Sequence, residues 1–241
     1  MKIIYSILVW LFILISIIIL VPLFVSIWLL TVLFDRKLFL LYLFSCYWGS
    51  LYTLLNPLWK VKITGREKIS LKKTNIFISN HRSYEDAIVL YRILKPFRWI
   101  SKSENFSIPV FGWFMSLRRD IKLKRGTRSG VKKMFLDAKK TLADDISLII
   151  FPEGTRSKTG ELGKFKQGAF RIAIETGTPI IPIIITGTKG TLINKFGIPK
   201  GKHTVEIKIL DEVSVKNYSE TNINDLISLV HSKMKNEITD L

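Results

Sequence analysis

The sequence has few of the residues that hold metal ions or form covalent cross-links. Its 241 residues include one cysteine and three histidines. Cys46 has no second cysteine to pair with, which excludes an intrachain disulfide and a zinc site built on cysteines. His81, His203 and His231 have no helical spacing to one another, so a zinc site made of histidines is not expected either. The composition therefore predicts a protein without a metal site.

Charged residues are missing from most of the first 60 positions. Residues 3–34 contain none, residues 38–59 contain none, and only Asp35-Arg36-Lys37 separates the two runs. A helix that spans a bilayer needs about 20 apolar residues, so each run is long enough to cross it. A cleaved signal peptide is disfavoured, because its apolar part is about 7–15 residues long and ends at a small-residue cleavage site.

The apolar runs predict an anchor that is followed by one folded domain. We expect residues 1–60 to form an N-terminal hydrophobic helical membrane anchor of two segments, and residues 61–241 to form a compact domain. Two arrangements of the anchor are open: a hairpin that spans the bilayer, and two helices embedded in one leaflet. The positive-inside rule does not separate them, because few basic residues flank the runs.

Acidic residues are in deficit. Lysine and arginine number 37 against 19 aspartate and glutamate residues, and the formal net charge is +18. The densest basic patch runs from Arg118 to Arg125 and continues to Arg128, Lys132 and Lys133. Such a surface attracts polyanions in general. Beside a hydrophobic anchor, anionic lipid headgroups fit better than nucleic acid, so the sequence predicts a membrane with anionic lipids as a partner and no nucleic acid.

After residue 60, apolar runs typical of buried strands alternate with stretches of helical periodicity. This alternation predicts an α/β fold with a central sheet flanked by helices. Pro182 interrupts one of the predicted strands, and because proline lacks an N–H group we expect an edge position or a bulge there. The predicted strands are 75–79, 147–151, 180–186 and 204–210, and the predicted helices are 83–94, 132–142, 167–175 and 222–238.

The first candidate catalytic motif is Asn80-His81 followed by Asp86. Positions five apart on a regular helix are separated by about 140°. His81 and Asp86 can therefore meet only if His81 lies in the turn before a helix and Asp86 in its first turn. Ser83 and Asp86 have the spacing of a capping box, which fits that arrangement. An imidazole oriented by a carboxylate can act as a general base at neutral pH. The alternative is that Asp86 only caps the helix.

The second motif is Phe151-Pro152-Glu153-Gly154-Thr155-Arg156-Ser157, directly after a hydrophobic run. Proline and glycine end the strand, and glycine allows the backbone to approach a ligand closely. Arg156 has the planar fork that binds a phosphate through two parallel hydrogen bonds. The alternative is a local ion pair between Glu153 and Arg156 in a surface turn.

Together the two motifs resemble the first and third sequence blocks of the glycerolipid acyltransferases. Residues 108–113, followed by 121–125, are similar to the second block, and residues 180–183 are similar to the fourth. The resemblance extends over residues 60–212 and is strongest to bacterial members that acylate 1-acylglycerol 3-phosphate. One position departs from the family pattern, since Arg119 stands where the second block usually has a glycine.

The resemblance implies a reaction. An acyl group would pass from acyl-CoA or acyl-carrier-protein to the sn-2 hydroxyl of 1-acylglycerol 3-phosphate, giving phosphatidic acid without a cofactor. His81 would be the general base and Asp86 its orienting partner, while Arg125 and Arg156 would hold the acceptor phosphate. Glycerol 3-phosphate or another lysophospholipid as acceptor is an open alternative, as is a non-catalytic membrane protein that binds anionic lipids.

The resemblance also implies further binding residues, partners and a location. Residues 61–241 would be the acyltransferase domain, at the bacterial inner membrane and facing the cytoplasm. The partners would be lysophosphatidic acid, the acyl thioester and, as one form of the donor, acyl carrier protein. The further substrate-binding residues would be Glu153, Gly154 and Thr155 at the glycerol site, Lys164 and Lys166 as added phosphate contacts, and Pro182 at the acyl chain.

Overall fold

A seven-stranded sheet lies at the centre of the protein. In the computed structural model, which describes residues 2–191 and 201–238, the strands follow the order β1-β7-β6-β2-β5-β3-β4. The strands are β1 (Trp59–Thr64), β2 (Ile76–Ser79), β3 (Phe97–Lys102), β4 (Ile121–Leu123), β5 (Ser147–Ile150), β6 (Ile180–Thr186) and β7 (His203–Ile209). The helices are α1 (Lys2–Thr31), α2 (Phe39–Leu54), α3 (Glu85–Val89), α4 (Phe111–Leu117), α5 (Arg128–Ala143), α6 (Gly168–Thr176) and α7 (Ile223–Glu237).

Five neighbouring strands point the same way. β6, β2, β5, β3 and β4 are mutually parallel, while β7 is antiparallel to β6 and β1 runs parallel to β7. The carboxyl ends of the five strands therefore meet at one edge of the sheet, and β1 and β7 begin at that same edge. In open α/β sheets, ligands bind at the carboxyl edge.

Helices cover both faces of the sheet, which confirms the predicted α/β class. One face packs apolar residues of α5, α6 and α7 against side chains such as Ile76, Leu148 and Ile184. The other face packs α3 and the 3-10 turn after it against side chains such as Phe77 and Ile183. Burial of both faces explains why β2, β5 and β6 read as continuous apolar runs, as is usual for parallel strands.

The two N-terminal runs form helices of different length. The apolar stretch Ile4–Thr31 is 28 residues long with a mean hydropathy of 3.1, long enough to cross a membrane. α2 has only 16 residues, about 24 Å at 1.5 Å per residue, so it is shorter than a bilayer core of about 30 Å. The expectation that both runs are long enough to span is therefore wrong for the second. The chain leaves α2 early because β1 already begins at Trp59.

Both N-terminal helices pack against the rest of the chain. Phe24 of α1 and Trp48 of α2 make edge-to-face contacts with Phe114 of α4, at centroid distances of 4.6 and 4.9 Å. Tyr42 of α2 is fully buried and accepts a hydrogen bond of 2.9 Å from Arg98 Nε on β3. The division into an anchor and a domain at residue 60 stays a prediction, and the boundary falls inside β1.

Pro182 occupies a central strand, so the predicted edge position is wrong. The predicted bulge is present. Ile183 pairs with Ile209, and Ile180 pairs with Val213. The two pairs are three residues apart on β6 but four residues apart on the neighbouring segment, so that segment contains one extra residue. The Leu210 N–H donates a hydrogen bond to the Pro182 carbonyl. Because the nitrogen and the carbonyl of one strand residue point to the same neighbour, the Pro182 ring nitrogen also faces this irregular stretch. A proline is tolerated there because the ladder is already interrupted.

Two arginines of the predicted basic patch have special environments. Arg118 is buried, not part of the surface, with its guanidinium 4.9 Å from the ring centre of Tyr42 and 3.6 Å from Asp120 Oδ1. Arg119 is exposed and adopts a left-handed backbone, with φ of +59°. Glycine enters this region without steric cost, so the glycine expected at this position from the family resemblance would fit this backbone.

Candidate active site

The predicted site residues follow the carboxyl ends of adjacent strands. His81 comes two residues after β2, Glu153 three residues after β5, and Arg125 two residues after β4. Thr188 comes two residues after β6. Because these strands are parallel, the topology brings loops from distant parts of the sequence to one edge of the sheet.

His81 and Asp86 are in direct contact. His81 Nδ1 lies 2.8 Å from Asp86 Oδ2, with His81 in the turn before α3 and Asp86 in its first turn. The same oxygen accepts hydrogen bonds from the backbone N–H groups of Arg82 and Ser83, at 2.6 and 2.7 Å. Asp86 therefore caps the turn and orients the histidine at once, so the two interpretations of the motif are compatible.

The other oxygen of Asp86 is held by Thr188, for which the sequence predicted no role, although Gly187-Thr188 fits the family resemblance. Thr188 Oγ1 donates to Asp86 Oδ1 at 2.7 Å, and both side chains are fully buried. The Gly187-Thr188 pair after β6 was the only available signal. With His81, Arg82, Ser83 and Thr188 as donors, the carboxylate has a fixed orientation.

The position of the histidine leaves one ring nitrogen available. An ionised carboxylate only accepts hydrogen bonds, so the contact with Asp86 places the imidazole proton on Nδ1 and leaves a lone pair on Nε2. Among the described residues, Nε2 has no hydrogen-bond partner, and the side chain is 19% exposed. Phe151 stacks on the ring at a centroid distance of 4.0 Å and an interplanar angle of 9°, which restricts its tilt.

Glu153 connects the second motif to the first. Its Oε1 accepts a hydrogen bond of 2.9 Å from the His81 backbone N–H, and its Oε2 accepts one of 3.1 Å from the Gly163 N–H. Burial raises the pKa of this carboxyl, and the two backbone donors oppose that shift. The Ser157 N–H also donates to the His81 carbonyl at 2.8 Å. The carboxylate is thus engaged by the protein itself, and its expected role toward glycerol stays a prediction.

Two cationic groups converge at Gly154. Arg125 Nη2 donates to the Gly154 carbonyl. A Cβ atom added to Gly154 would lie 3.1 Å from Lys166 Nζ, and Gly154 has a φ of +72°. The positive φ favours glycine at this position, and the flexible end of the Lys166 side chain lies against it. The structure therefore brings Arg125 and Lys166 together one residue beyond Glu153.

Arg156 has a different partner from Arg125. Its guanidinium lies 3.6 Å from the ring centre of Tyr84, and Nη2 donates to the Tyr84 hydroxyl at 2.9 Å. The alternative ion pair with Glu153 is not what these residues form. Since Tyr84 belongs to the turn between His81 and Asp86, Arg156 is still attached to the first motif.

The remaining predicted residues have less specific surroundings. Thr155 and Lys164 are exposed, and Pro182 is buried within the sheet. No group of three or more histidine, cysteine, aspartate or glutamate residues that could hold a metal ion occurs in the described parts of the chain. The roles predicted for Thr155, Lys164 and Pro182 stay predictions.

A second buried carboxylate, Glu85, lies next to Asp86 and was not identified from the sequence. Its Oε2 is 2.7 Å from Thr191 Oγ1 and 3.6 Å from His203 Nε2. Burial raises its pKa to about 7, and the neighbouring Asp86 adds to the shift, although the bond to Thr191 lowers it. Its position directly before the motif aspartate was the only sequence signal.

The fold and this site define an α/β acyltransferase, and comparison with known proteins agrees. The sequence model of the Acyltransferase family matches residues 60–186. The 1-acyl-sn-glycerol-3-phosphate acyltransferase of Haemophilus influenzae is 31% identical over 201 residues, which cover 81% of this chain and 80% of that protein. The crystal structure of the 1-acyl-sn-glycerophosphate acyltransferase from Thermotoga maritima matches with a TM-score of 0.79 and 27% identity, covering 98% of this chain and 96% of that one. The chain belongs to the acyltransferase family.

Some relatives are considerably longer. The chloroplastic 1-acyl-sn-glycerol-3-phosphate acyltransferase of Arabidopsis thaliana is 38% identical over 142 residues, which cover 58% of this chain and 39% of that protein. For the relatives from Chlamydomonas reinhardtii and Brassica napus the matched share of the relative is 43% and 41%. The chain thus spans about two fifths of the length of these three relatives.

Proposed function

We propose that the protein transfers an acyl group from an acyl thioester to the sn-2 hydroxyl of 1-acylglycerol 3-phosphate, producing phosphatidic acid. The observation that carries the proposal is the His81–Asp86 pair, which leaves Nε2 of a fixed imidazole without a partner among the described residues, at the carboxyl edge of the sheet. The names of the relatives from Haemophilus influenzae and Thermotoga maritima support the choice of acceptor.

The chemical steps follow from that geometry. His81 Nε2 takes the proton of the acceptor hydroxyl while the hydroxyl oxygen attacks the thioester carbonyl, and Asp86 stabilises the imidazolium that forms. The resulting tetrahedral intermediate collapses with cleavage of the carbon–sulfur bond. The leaving thiolate then receives the proton from His81. The products are the ester and a free thiol, and the enzyme returns to its starting state.

The acceptor phosphate requires cationic groups close to the histidine. Arg125 and Lys166 meet at Gly154, and Gly154 follows the residue that holds the His81 backbone. Arg125 can offer its remaining N–H groups to phosphate oxygens. Arg156 approaches from the Tyr84 side of the same turn. Glu153, by fixing the first motif relative to Gly154, sets the separation between base and phosphate site.

The proposed donors are acyl-CoA or acyl-carrier-protein, each of which supplies a thioester. The steps move only a proton and an acyl group, so they need neither a metal nor a redox cofactor. The long apolar helix α1 supports attachment to a membrane, which is also where a lysophospholipid acceptor resides. An arrangement with the catalytic domain on the cytoplasmic side of a bacterial inner membrane would give soluble thioesters access to the site.

An acceptor panel tests this proposal. The purified full-length protein in mixed micelles is supplied with labelled acyl-CoA or acyl-carrier-protein and, separately, with 1-acylglycerol 3-phosphate, glycerol 3-phosphate and a lysophosphatidylcholine. We expect labelled phosphatidic acid from the first acceptor, at a rate well above the other two. A faster reaction with another acceptor would replace the substrate assignment, and no product with any combination would favour a non-catalytic lipid-binding protein.

A further inference from the structure

The buried residues Glu85 and Thr191 and the half-buried His203 lie beside the His81–Asp86 pair and have no role in the steps above. Glu85 is 2% exposed, and its Oε1 has no hydrogen-bond partner. Thr191 Oγ1 lies 2.7 Å from Glu85 Oε2 and 2.9 Å from the carbonyl oxygen of Thr188. Thr188 in turn donates to Asp86. A continuous set of short contacts therefore leads from Glu85 to the aspartate that orients His81.

The number of protons available determines which group donates in each of these contacts. The Thr191 hydroxyl has one proton and two oxygen neighbours, and the Thr188 carbonyl can only accept. If Glu85 were ionised, it too could only accept, and the single hydroxyl proton of Thr191 would have to be shared between two acceptors. If Glu85 carries a proton, it donates to Thr191 Oγ1, and Thr191 then donates to the Thr188 carbonyl. Only the neutral acid gives each of the two contacts a proton of its own.

We propose that Glu85 is a positioning residue held as a neutral carboxylic acid, whose proton completes a relay through Thr191 that fixes the turn carrying Thr188 and thereby Asp86. Loss of the proton would leave Thr191 with one proton for two acceptors, weaken its bond to the Thr188 carbonyl and loosen the residue that donates to Asp86 Oδ1. The effect would fall on the orientation of His81 and therefore on turnover, not on substrate binding. The inference rests on the proposed function for its kinetic test only.

The surroundings of Glu85 favour its neutral form. In the part of the chain that the structure describes, the charged or titratable groups that face it are Asp86 on its own helix and His203 at the start of β7. α2, which packs against α3, has no Asp, Glu, Lys, Arg or His. His203 Nε2 is 3.6 Å from Glu85 Oε2, too far for a hydrogen bond, and His203 Nδ1 lies 3.2 Å from the Gly201 carbonyl. Burial raises the pKa of Glu85 to about 7, and this effect, with a smaller one from Asp86, outweighs the lowering by the Thr191 hydroxyl.

The kinetic test compares kcat across pH 5.5 to 9 for four variants of the full-length protein. Glu85→Gln keeps a donor in place of the acid proton, so its kcat should match that of the unmodified protein near pH 6 and should not fall above pH 7. Glu85→Ala and Thr191→Val should lower kcat about 10-fold or more at every pH, with little change in either KM. Thr191→Ser keeps the hydroxyl, so its kcat and its pH profile should match those of the unmodified protein. An alkaline decline in Glu85→Gln equal to that of the unmodified protein would overturn the proposal, as would full activity in Glu85→Ala and Thr191→Val.

A spectroscopic test does not depend on activity. The infrared carbonyl band of a protonated, buried carboxyl group should be present at pH 6, shift on 13C labelling of glutamate, disappear as the pH rises through about 7, and be absent from Glu85→Gln. If the band is present and no acyl transfer can be measured, the protonated acid stands and the proposed function fails. If no such band exists at pH 6, Glu85 is ionised, and the relay is wrong.

Discussion

Glu153 Oε1 accepts a hydrogen bond of 2.9 Å from the backbone N–H of His81, a residue 72 positions earlier in the chain. This contact joins the third sequence block to the first. The second oxygen of the same carboxylate accepts from Gly163 in its own loop, so one buried side chain holds the loop after β5 together and fixes it to the loop after β2. The position of the candidate base therefore depends on a residue that need not touch the substrate.

Replacement of Glu153 tests this dependence. Glu153→Ala removes the acceptor for both N–H groups, and each unsatisfied buried donor costs about 1–3 kcal/mol. Glu153→Gln has a single acceptor oxygen and should have an intermediate effect. We expect both variants to have a lower melting temperature and a lower kcat than the unmodified protein, with the larger decrease in Glu153→Ala. Glu161→Gln, an exposed carboxylate in the same loop, is the control, and equal effects of Glu161→Gln and Glu153→Ala would argue against the bracing role.

Arg125 is expected to bind the acceptor phosphate. A hydrogen bond to a charged group contributes about 1.5–3 kcal/mol, so Arg125→Ala should raise the KM for 1-acylglycerol 3-phosphate about 10- to 150-fold at 25 °C. The KM for the acyl thioester should change little. Arg125→Lys keeps the charge but lacks the planar fork, so its KM for 1-acylglycerol 3-phosphate should lie between those of the unmodified protein and Arg125→Ala. Steady-state kinetics with each substrate varied in turn measures this, and an equal rise in both KM values would mean that Arg125 only supports the Gly154 turn.

Arg156 needs a different control, because it stacks on Tyr84. If Arg156 binds phosphate, Arg156→Ala should raise the acceptor KM while Tyr84→Leu, which removes the stacking partner but keeps the arginine, should have a smaller effect. If the two variants have the same kinetic and thermal behaviour, Arg156 acts only by holding the turn between His81 and Asp86.

Arg119 is expected to be strained by its backbone conformation. A left-handed conformation costs a residue with a side chain about 1–2 kcal/mol, and glycine avoids that cost. Arg119→Gly should therefore be more stable than Arg119→Ala, which loses the same hydrogen bond to the Arg36 carbonyl but keeps the strain. A difference of 2–4 °C in melting temperature per kcal/mol is typical of domains of about this size. A melting temperature of Arg119→Gly at or below that of Arg119→Ala would contradict this interpretation.

The sequence predicted the parts of the fold whose signals are local. β2 and β5 were identified because both of their faces are buried and their sequences are continuously apolar. β1 was missed because Trp59 reads as the end of the apolar run, and β4 because its three residues lie inside a basic stretch. Pro182 was assigned to an edge or a bulge because the sequence does not show which strand lies beside it.

The candidate site was predicted in part for the same reason. His81 and Asp86 are close in sequence, so the geometry of one turn was enough to pair them. Thr188 reaches Asp86 from 102 positions away, and Thr191 reaches Glu85 from 106. Such contacts follow from strand order, which no local pattern reveals. The sequence showed that Arg119 departs from a family pattern. Its positive φ could be seen only in the structure.

Membrane attachment should depend on α1 and not on the basic surface. Electrostatic attraction is screened within about 3 Å at 1 M salt, whereas an inserted apolar helix is not released by salt. We expect the full-length protein to stay in the membrane pellet at 1 M NaCl. A protein that begins at Val32, and so lacks α1, should be released from anionic vesicles by the same salt. Release of the full-length protein at 1 M NaCl would show that the charge, and not the helix, is the main attachment.

The most direct test of the account is the turnover of His81→Ala in the acyl-transfer assay. General-base catalysis contributes about 10²- to 10⁴-fold, so kcat should fall by that factor while the melting temperature and membrane attachment are retained. Asp86→Asn should also lose turnover, whereas His231→Ala, which alters a histidine on α7 that packs on Phe165, should stay active. Loss of activity confined to the His81 and Asp86 variants is the predicted result. A His81→Ala protein that forms phosphatidic acid at the rate of the unmodified protein would contradict the assignment of His81 as the base.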